Sequence, residues 1–363
     1  MSRIKIGVIG CGAVAQVQHL PNLKHLHREF EVSIVCDLSQ GAAEAVAKRF
    51  DIPHFVADYK KLLETDVNAV LLCHGDPKTE VALASFEAGK HVFIEKPVCF
   101  SLQEIDAMLD AQQKSGTVAQ AGYMKVHDPA FQLAKLEVDT MHDFRFVQIN
   151  HLHPNNSLHL SQFDVERFDD VPPDAFAPAQ SARAAARKDA IGDVPPQVEH
   201  AFHLLSGSMI HDIYSLRVML GSPSEVISAE VWADGGGVNI VLAYPNGARC
   251  VATWVDLPEL WDFKETLEIY GGEKRVLVSY PTGFSRGILS EVTIQGIDTD
   301  GITYTKNPTI EWESAFVKEL RHFHACITEG VTCYTPLESA RKDIELIINI
   351  VRCYANKSAV KCE

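Results

Sequence analysis

The chain has 363 residues, 46% of them apolar and 22% charged, which supplies core and charged surface for more than one ordinary domain. Its formal net charge of −15 repels a phosphodiester backbone or an anionic membrane, and no basic patch offsets it, so neither is an expected partner. No apolar run reaches the roughly 18 residues of a membrane span, and the opening run at 4–9 is too short for a signal segment, so the expected location is the cytoplasm.

Over the first 120 or so residues, short β-branched runs alternate with helical patterns. Strands are expected at 4–9, 32–36, 69–73, 91–94 and 118–121, and helices at 41–50, 79–88 and 102–115, where apolar residues recur three and four apart. This is the pattern of βαβ units, and it makes residues 1–125 an α/β domain with a doubly wound parallel sheet. From about Asp143 the strands lengthen, at 144–151, 225–232, 238–244, 249–255 and 266–270, with turn signals at Pro245-Asn246-Gly247 and Gly271-Gly272. These features predict a second, α+β domain over 126–363 with a largely antiparallel sheet, closed by amphipathic helices at 315–329 and 337–355. Residues 154–196, rich in Pro, Ala, Asp and Arg, read as a long loop, either a lid over the substrate or a disordered segment. The nine cysteines are odd in number and contain no Cys-x-x-Cys pair, so reduced, mostly structural thiols are expected and no metal site.

The segment from Gly7 to Ala15 ends the first strand and opens a helix with the pattern Gly10-x-Gly12-x-x-Ala15. Gly10 permits a tight turn, Gly12 lets backbone N–H groups approach a pyrophosphate, and Ala15 lets helix and strand pack closely. Asp37 ends the second strand about 25 residues on, where a carboxylate accepts the ribose hydroxyls of NAD and repels a 2′-phosphate. Its alternative role is to cap the helix that follows Ser39. The cofactor expected is NAD, against Gly10, Gly12, Ala13, Val14, Ala15, Asp37 and Leu38.

Gly89-Lys90-His91-Val92-Phe93-Ile94-Glu95-Lys96-Pro97, the glycine loop, and the stretch from Phe316 to Phe323 together closely resemble the glucose-fructose oxidoreductase and inositol dehydrogenase family, also called Gfo/Idh/MocA. The resemblance implies an N-terminal Rossmann domain, a C-terminal open-faced sheet used partly for homo-oligomerisation as a dimer or tetramer, and a nicotinamide-linked reaction on a sugar, glycoside or cyclitol. It puts Lys96 beside the nicotinamide and the reacting hydroxyl, with Glu95 and the Cys73-His74-Gly75 loop against the cofactor. His211, in Gly207-Ser208-Met209-Ile210-His211-Asp212-Ile213-Tyr214, falls on the family's catalytic histidine, which takes the hydroxyl proton; an imidazole suits that task near neutral pH. The strand ending His151-Leu152-His153-Pro154 resembles the family's substrate-face strand, and residues two apart on a strand share a side. Tyr123, Lys125, His151, His153 and Asp212 are therefore the candidate substrate contacts, and a metal held by His151, His153 and His159 is the less favoured use of those imidazoles.

Two positions depart from the family pattern: its earlier aspartate is Gly207 here and its later one is Tyr214. The expected orienting carboxylate is thereby missing. Asp212 is a poor substitute, because adjacent helix residues point about 100° apart, and Glu199, His200 and His203 are the candidates upstream. Other readings stay open: an NAD-binding sensor of the same fold without catalysis, or a redox-neutral enzyme that recycles tightly held NAD.

Overall fold

In the computed structural model, which describes residues 3–360, the chain forms two mixed layers of strand and helix around separate sheets. The first half runs β1 (Ile4–Ile9), a π-helical turn (Ala15–His19), α1 (Leu20–His25), β2 (Phe30–Cys36), α2 (Gln40–Phe50), β3 (His54–Val56) and α3 (Tyr59–Leu63). It continues with β4 (Ala69–Leu72), α4 (Thr79–Glu87), β5 (His91–Glu95), α5 (Leu102–Ser115) and β6 (Ala119–Gly122). These strands pair in the order β3-β2-β1-β4-β5-β6, every pair parallel. A parallel sheet is covered on both faces, which is why β4 reads Ala-Val-Leu-Leu and is buried throughout. The order reverses between β1 and β4, so the loops leaving β1, β4 and β5 open at one edge, the place where such sheets bind ligands.

The remainder runs α6 (Pro129–Asp139), β7 (Phe146–His153), α7 (Asn156–Leu160), α8 (Ala177–Ile191), α9 (Pro196–Leu204), α10 (Ile210–Leu220), β8 (Glu225–Trp232), β9 (Gly237–Ala243) and β10 (Arg249–Asp256). Then come β11 (Lys264–Tyr270), β12 (Lys274–Tyr280), β13 (Glu291–Ile297), β14 (Thr303–Lys306), α11 (Ala315–Glu329) and α12 (Leu337–Val360). The second sheet has the order β14-β13-β12-β11-β7-β10-β9-β8 and is antiparallel except where β7 and β10 run side by side. Val147, Ile149 and His151 of β7 and Cys250, Ala252 and Trp254 of β10 share its buried face, while Gln148, Asn150 and Leu152 are half-exposed on the other. Among the described residues no helix is long and apolar enough to cross a membrane.

The segment 154–196 is not the structureless loop expected: it carries α7, a 3-10 turn (Pro173–Phe176) and α8. Helix α8 buries only Ala186, Ala190 and Ile191, so its alanines favour the helix by propensity without an amphipathic stripe to announce it. Two compact units emerge, one built from residues up to Tyr123 with Leu160–Gly192 and Phe316–Ile344, the other from Met124–His159, Asp193–Ala315 and the residues from Glu345 onward.

The core of the first unit gathers Ile6 and Val8 of β1, Phe30 and Val35 of β2, Leu71 of β4 and Phe93 of β5 around Val317, Leu320 and Phe323 of α11. The same helix carries Glu319 into this core, fully buried and within 4.8 Å of ligand atoms on His19 and Glu95. Burial, reinforced by the charge of Glu95, raises the pKa of Glu319 well above the carboxylate range, so the folded chain holds its proton. The unfolded chain releases that proton above about pH 4.3, so stability falls as pH rises from there toward the folded-state value. Glu319→Gln, which mimics the protonated acid, should therefore gain in melting temperature over the natural chain by a few degrees between pH 5 and pH 8. Equal differences at both pH values, read by differential scanning calorimetry, would show that Glu319 ionises normally.

Candidate active site

At the binding edge of the parallel sheet, Gly10 adopts φ +99°, and a Cβ there would stand 2.3 Å from the backbone nitrogen of His74. Only glycine fits, because the turns after β1 and β4 are in contact. At Gly12 a Cβ would meet nothing within 4 Å, so this residue faces open space. Ala15 is fully buried against the sheet. Asp37 ties this turn down: one carboxylate oxygen accepts the Cys11 N–H at 2.8 Å and the other the Ser39 N–H at 2.9 Å. The cap of α2 is Ser39, whose hydroxyl accepts the Ala42 N–H at 2.9 Å, and not Asp37. Leu38 is 59% exposed beside it. Glycine backbone at the turn, open space above Gly12 and an acceptor at the end of β2 together fit a dinucleotide.

The next two loops line the same edge. Cys73 is buried at the end of β4, and His74 Nδ1 lies 2.7 Å from the Gly75 carbonyl; burial lowers the His74 pKa. Glu95, buried at the end of β5, holds His19 Nε2 at 2.5 Å and accepts the Lys96 backbone N–H at 3.1 Å. Burial pushes the Glu95 pKa up, but the His19 bond and the charges of Lys96 and Lys78 outweigh it and hold the carboxyl below its ordinary value. Lys96 is half-buried, and desolvation, opposed by Glu95, lowers the pKa of its ammonium. Lys78, which the sequence reading passed over, is 3% exposed and bridges the loops, donating to Asp76 at 2.5 Å and to the Pro97 carbonyl at 3.2 Å.

In the second unit, strand register assembles a different cluster. His151 lies opposite Trp254 on β10 and Glu265 on β11, on the buried face. Its Nδ1 is 2.7 Å from an Asp212 oxygen, and its Nε2 is 3.1 Å from His153 Nδ1. The Lys125 ammonium pairs with Glu265 and lies 4.5 Å from the centre of the Tyr280 ring. Lys125, His151 and Asp212 are all buried, Lys125 paired with Glu265 and His151 with Asp212, whereas His153 is half-buried and stacks on Trp254 at 5.6 Å. His159 is turned to the Trp261 carbonyl at 3.2 Å.

His211 Nδ1 lies 2.7 Å from the Tyr214 hydroxyl, which also accepts the Lys125 backbone N–H at 3.2 Å. The orienting partner is thus Tyr214, three residues on along α10 and on the same face, at one of the positions that departs from the family pattern. Of the upstream candidates, His200 lies 2.9 Å from the Asp234 carbonyl. Asp212 pairs with His151 instead, as the angular separation from His211 requires. Gly207 sits in a π-helical turn (Leu205–Met209), and a Cβ there would meet open space. Tyr123 is buried at the end of β6, in the first unit.

Among the described residues the cysteines form no disulfide; Cys362 lies outside them. Cys326 departs from an inert thiol: a hydrogen bond from Cys333, then the bond and charge of His322 at 3.4 Å, lower its pKa to about 5 against the opposing effect of burial.

Residues 4–123 match the family model described as "Oxidoreductase family, NAD-binding Rossmann fold". The inositol 2-dehydrogenase of Salmonella paratyphi B is 30% identical over 141 residues, 38% of this chain and 42% of that protein. The matched segment thus spans about two fifths of that relative's length. The scyllo-inositol 2-dehydrogenase (NAD(+)) of Bacillus subtilis aligns over 99% of this chain and 97% of its own, at 21% identity. Among solved structures, a putative NADPH-dependent oxidoreductase from Desulfitobacterium hafniense superposes with a TM-score of 0.77 over 98% of this chain and 97% of that one, at 14% identity, a likeness of fold. The likeness to the Gfo/Idh/MocA oxidoreductases is thus carried by residues 4–123, which match that family's NAD-binding Rossmann model.

Proposed function

We propose that this protein is an NAD-dependent dehydrogenase that oxidises a secondary hydroxyl of a sugar, glycoside or cyclitol. The observation that carries the reading is the binding edge of the first sheet, where the Gly10 turn, the Asp37 carboxylate and the Glu95-Lys96 pair stand at the ends of β1, β2 and β5. In this reading residues 1–125 hold the cofactor through Gly10, Gly12, Ala13, Val14, Ala15, Asp37, Leu38 and the Cys73–Gly75 loop, and 126–363 present the substrate face. When bound, the nicotinamide supplies the hydride acceptor. A homo-oligomer built on the half-exposed face of the second sheet belongs to the same proposal, as does a site in the cytoplasm.

The Lys96 ammonium, whose residue is tied to Glu95 through its backbone N–H, stabilises negative charge on the hydroxyl oxygen as its proton leaves. His211 takes that proton. A carboxylate can only accept, and so fixes a proton on the imidazole nitrogen it faces; a tyrosine hydroxyl can also donate, and it therefore accommodates either tautomer. Tyr214 thus orients His211 without raising its basicity as an aspartate does. A second reading of the proton acceptor rests on the other histidines. Asp212 fixes a proton on His151 Nδ1, His151 Nε2 then accepts from His153 Nδ1, and the lone pair of that ring falls on Nε2.

Two further readings keep the fold and change the role: a sensor that binds NAD without turnover, and a redox-neutral enzyme that retains its NAD. Screening NAD reduction against cyclitols, aldoses and glycosides, with product analysis for conversion without net reduction, separates them.

Titration of nucleotide-free protein should show NAD preferred over NADP by at least about tenfold, because Asp37 opposes the 2′-phosphate; equal affinity overturns the role given to Asp37. On an authentic substrate, Lys96→Ala and His211→Ala should each lower kcat by about 10²–10⁴-fold with NAD binding nearly intact. Tyr214→Phe should lower kcat less and shift its pH profile, and Gly207→Asp should not raise it. If His211→Ala keeps more than half the activity while His153→Ala loses it, the acceptor is His153.

A further inference from the structure

The segment between α7 and α8 docks on the π-helical turn after β1 and on both ends of α2. The Gln16 carboxamide, one residue past Ala15, pairs with the backbone of Glu166 in both directions, accepting its N–H at 2.9 Å and donating to its carbonyl at 3.0 Å. The Arg49 guanidinium donates to the Asp164 carbonyl. Phe168 lies over Gly41, where a Cβ would stand 2.8 Å from its ring. At the end of this strap, one oxygen of Asp170 accepts the Ser39 hydroxyl and the other the Gly41 N–H at 2.8 Å.

Ser39 and Gly41 belong to the first turn of α2, an eleven-residue helix whose opening donors follow directly on Asp37. A hydroxyl and a backbone N–H at a helix start, with the positive end of the helix dipole, suit an anionic oxygen cluster. In the reading above, Asp37 addresses the adenosine ribose, and these donors follow directly on it, with the Ser39 N–H bonded to its carboxylate. They are already bonded to a carboxylate of the chain itself. The Ser39 bond and then the Gly41 bond keep the Asp170 carboxyl below its usual range, so the charge is present at neutral pH.

We infer that Asp170 is a specificity-determining residue: an anion of the chain itself, carried by the 160–170 strap onto the first turn of α2, that occupies the 2′-phosphate position and excludes NADP. Asp37 repels the phosphate from the end of β2, and Asp170 removes the donors that could offset that repulsion. The inference rests on the NAD reading of the first unit and adds a residue that lies outside the glycine-loop motif.

The test is the dissociation constant of NAD and of NADP for the nucleotide-free full chain, by calorimetry, in the natural protein, Asp170→Ala and Asp170→Asn. Asp170→Ala should tighten NADP at least about tenfold and leave NAD within about threefold, since a hydrogen-bonded charge is exchanged for open donors. Asp170→Asn, which keeps the shape of the cap, should gain a smaller part of that and serves if the alanine variant does not fold. An unchanged NADP-to-NAD ratio in a folded variant overturns the inference while the NAD reading stands. A natural protein that binds NADP as tightly as NAD overturns both, and one that binds neither removes the reading itself.

Discussion

Buried charge must be paired, and both units are organised by that requirement. Taking an ion from water into a protein interior costs several kcal/mol unless an opposite charge and hydrogen bonds replace the water. In the second unit Lys125, Glu265, His151 and Asp212 meet that demand among themselves, each drawn from a different element. The pairing fixes how the Met124–His127 turn, β7, β11 and α10 approach one another, because loss of any member leaves its partner uncompensated. In the first unit Glu95 is matched by His19 and neighbouring lysines, and Glu319 meets the same constraint by keeping its proton.

The parallel sheet imposes the other geometry. Its reversal between β1 and β4 leaves a gap at one edge, and the turns that line it are pressed so closely that Gly10 has no room for a side chain. Asp37 then joins the turn after β1 to the entry of α2. A carboxylate has lone pairs beyond those two bonds, so holding the loop together and accepting from a ligand are compatible tasks.

The departures from the family pattern make physical sense as a set. An aspartate at 214 would orient His211 by charge; the phenol does so by a neutral hydrogen bond and is itself held by the Lys125 backbone. The carboxylate that remains on α10, Asp212, is committed to His151. The charge-backed imidazole of this unit is therefore on the sheet, and the neutral-backed one is on the helix.

Much of the first unit is legible in the sequence because its signals are local: β-branched runs, three- and four-residue apolar spacing and the glycine turn lie within single elements, and Lys96 and His211 stand inside recognisable motifs. In the 154–196 segment the reading fails, since α8 forms by alanine propensity with almost no buried stripe and so leaves no periodicity to read. Which partner each ionisable group takes was not legible at all. Tyr214 reads as the loss of a carboxylate because a tyrosine three residues after a histidine carries no motif, and Lys78 and Asp170 stand in no motif at all. What the sequence by itself determined is the element pattern, the glycine turn and the identity of the candidate groups. Only the tertiary structure decided that His151 joins Asp212, that Lys125 joins Glu265 and that Asp170 reaches Ser39, because each pair is separated by at least 61 residues and is joined by strand register and docking, not by spacing along the chain.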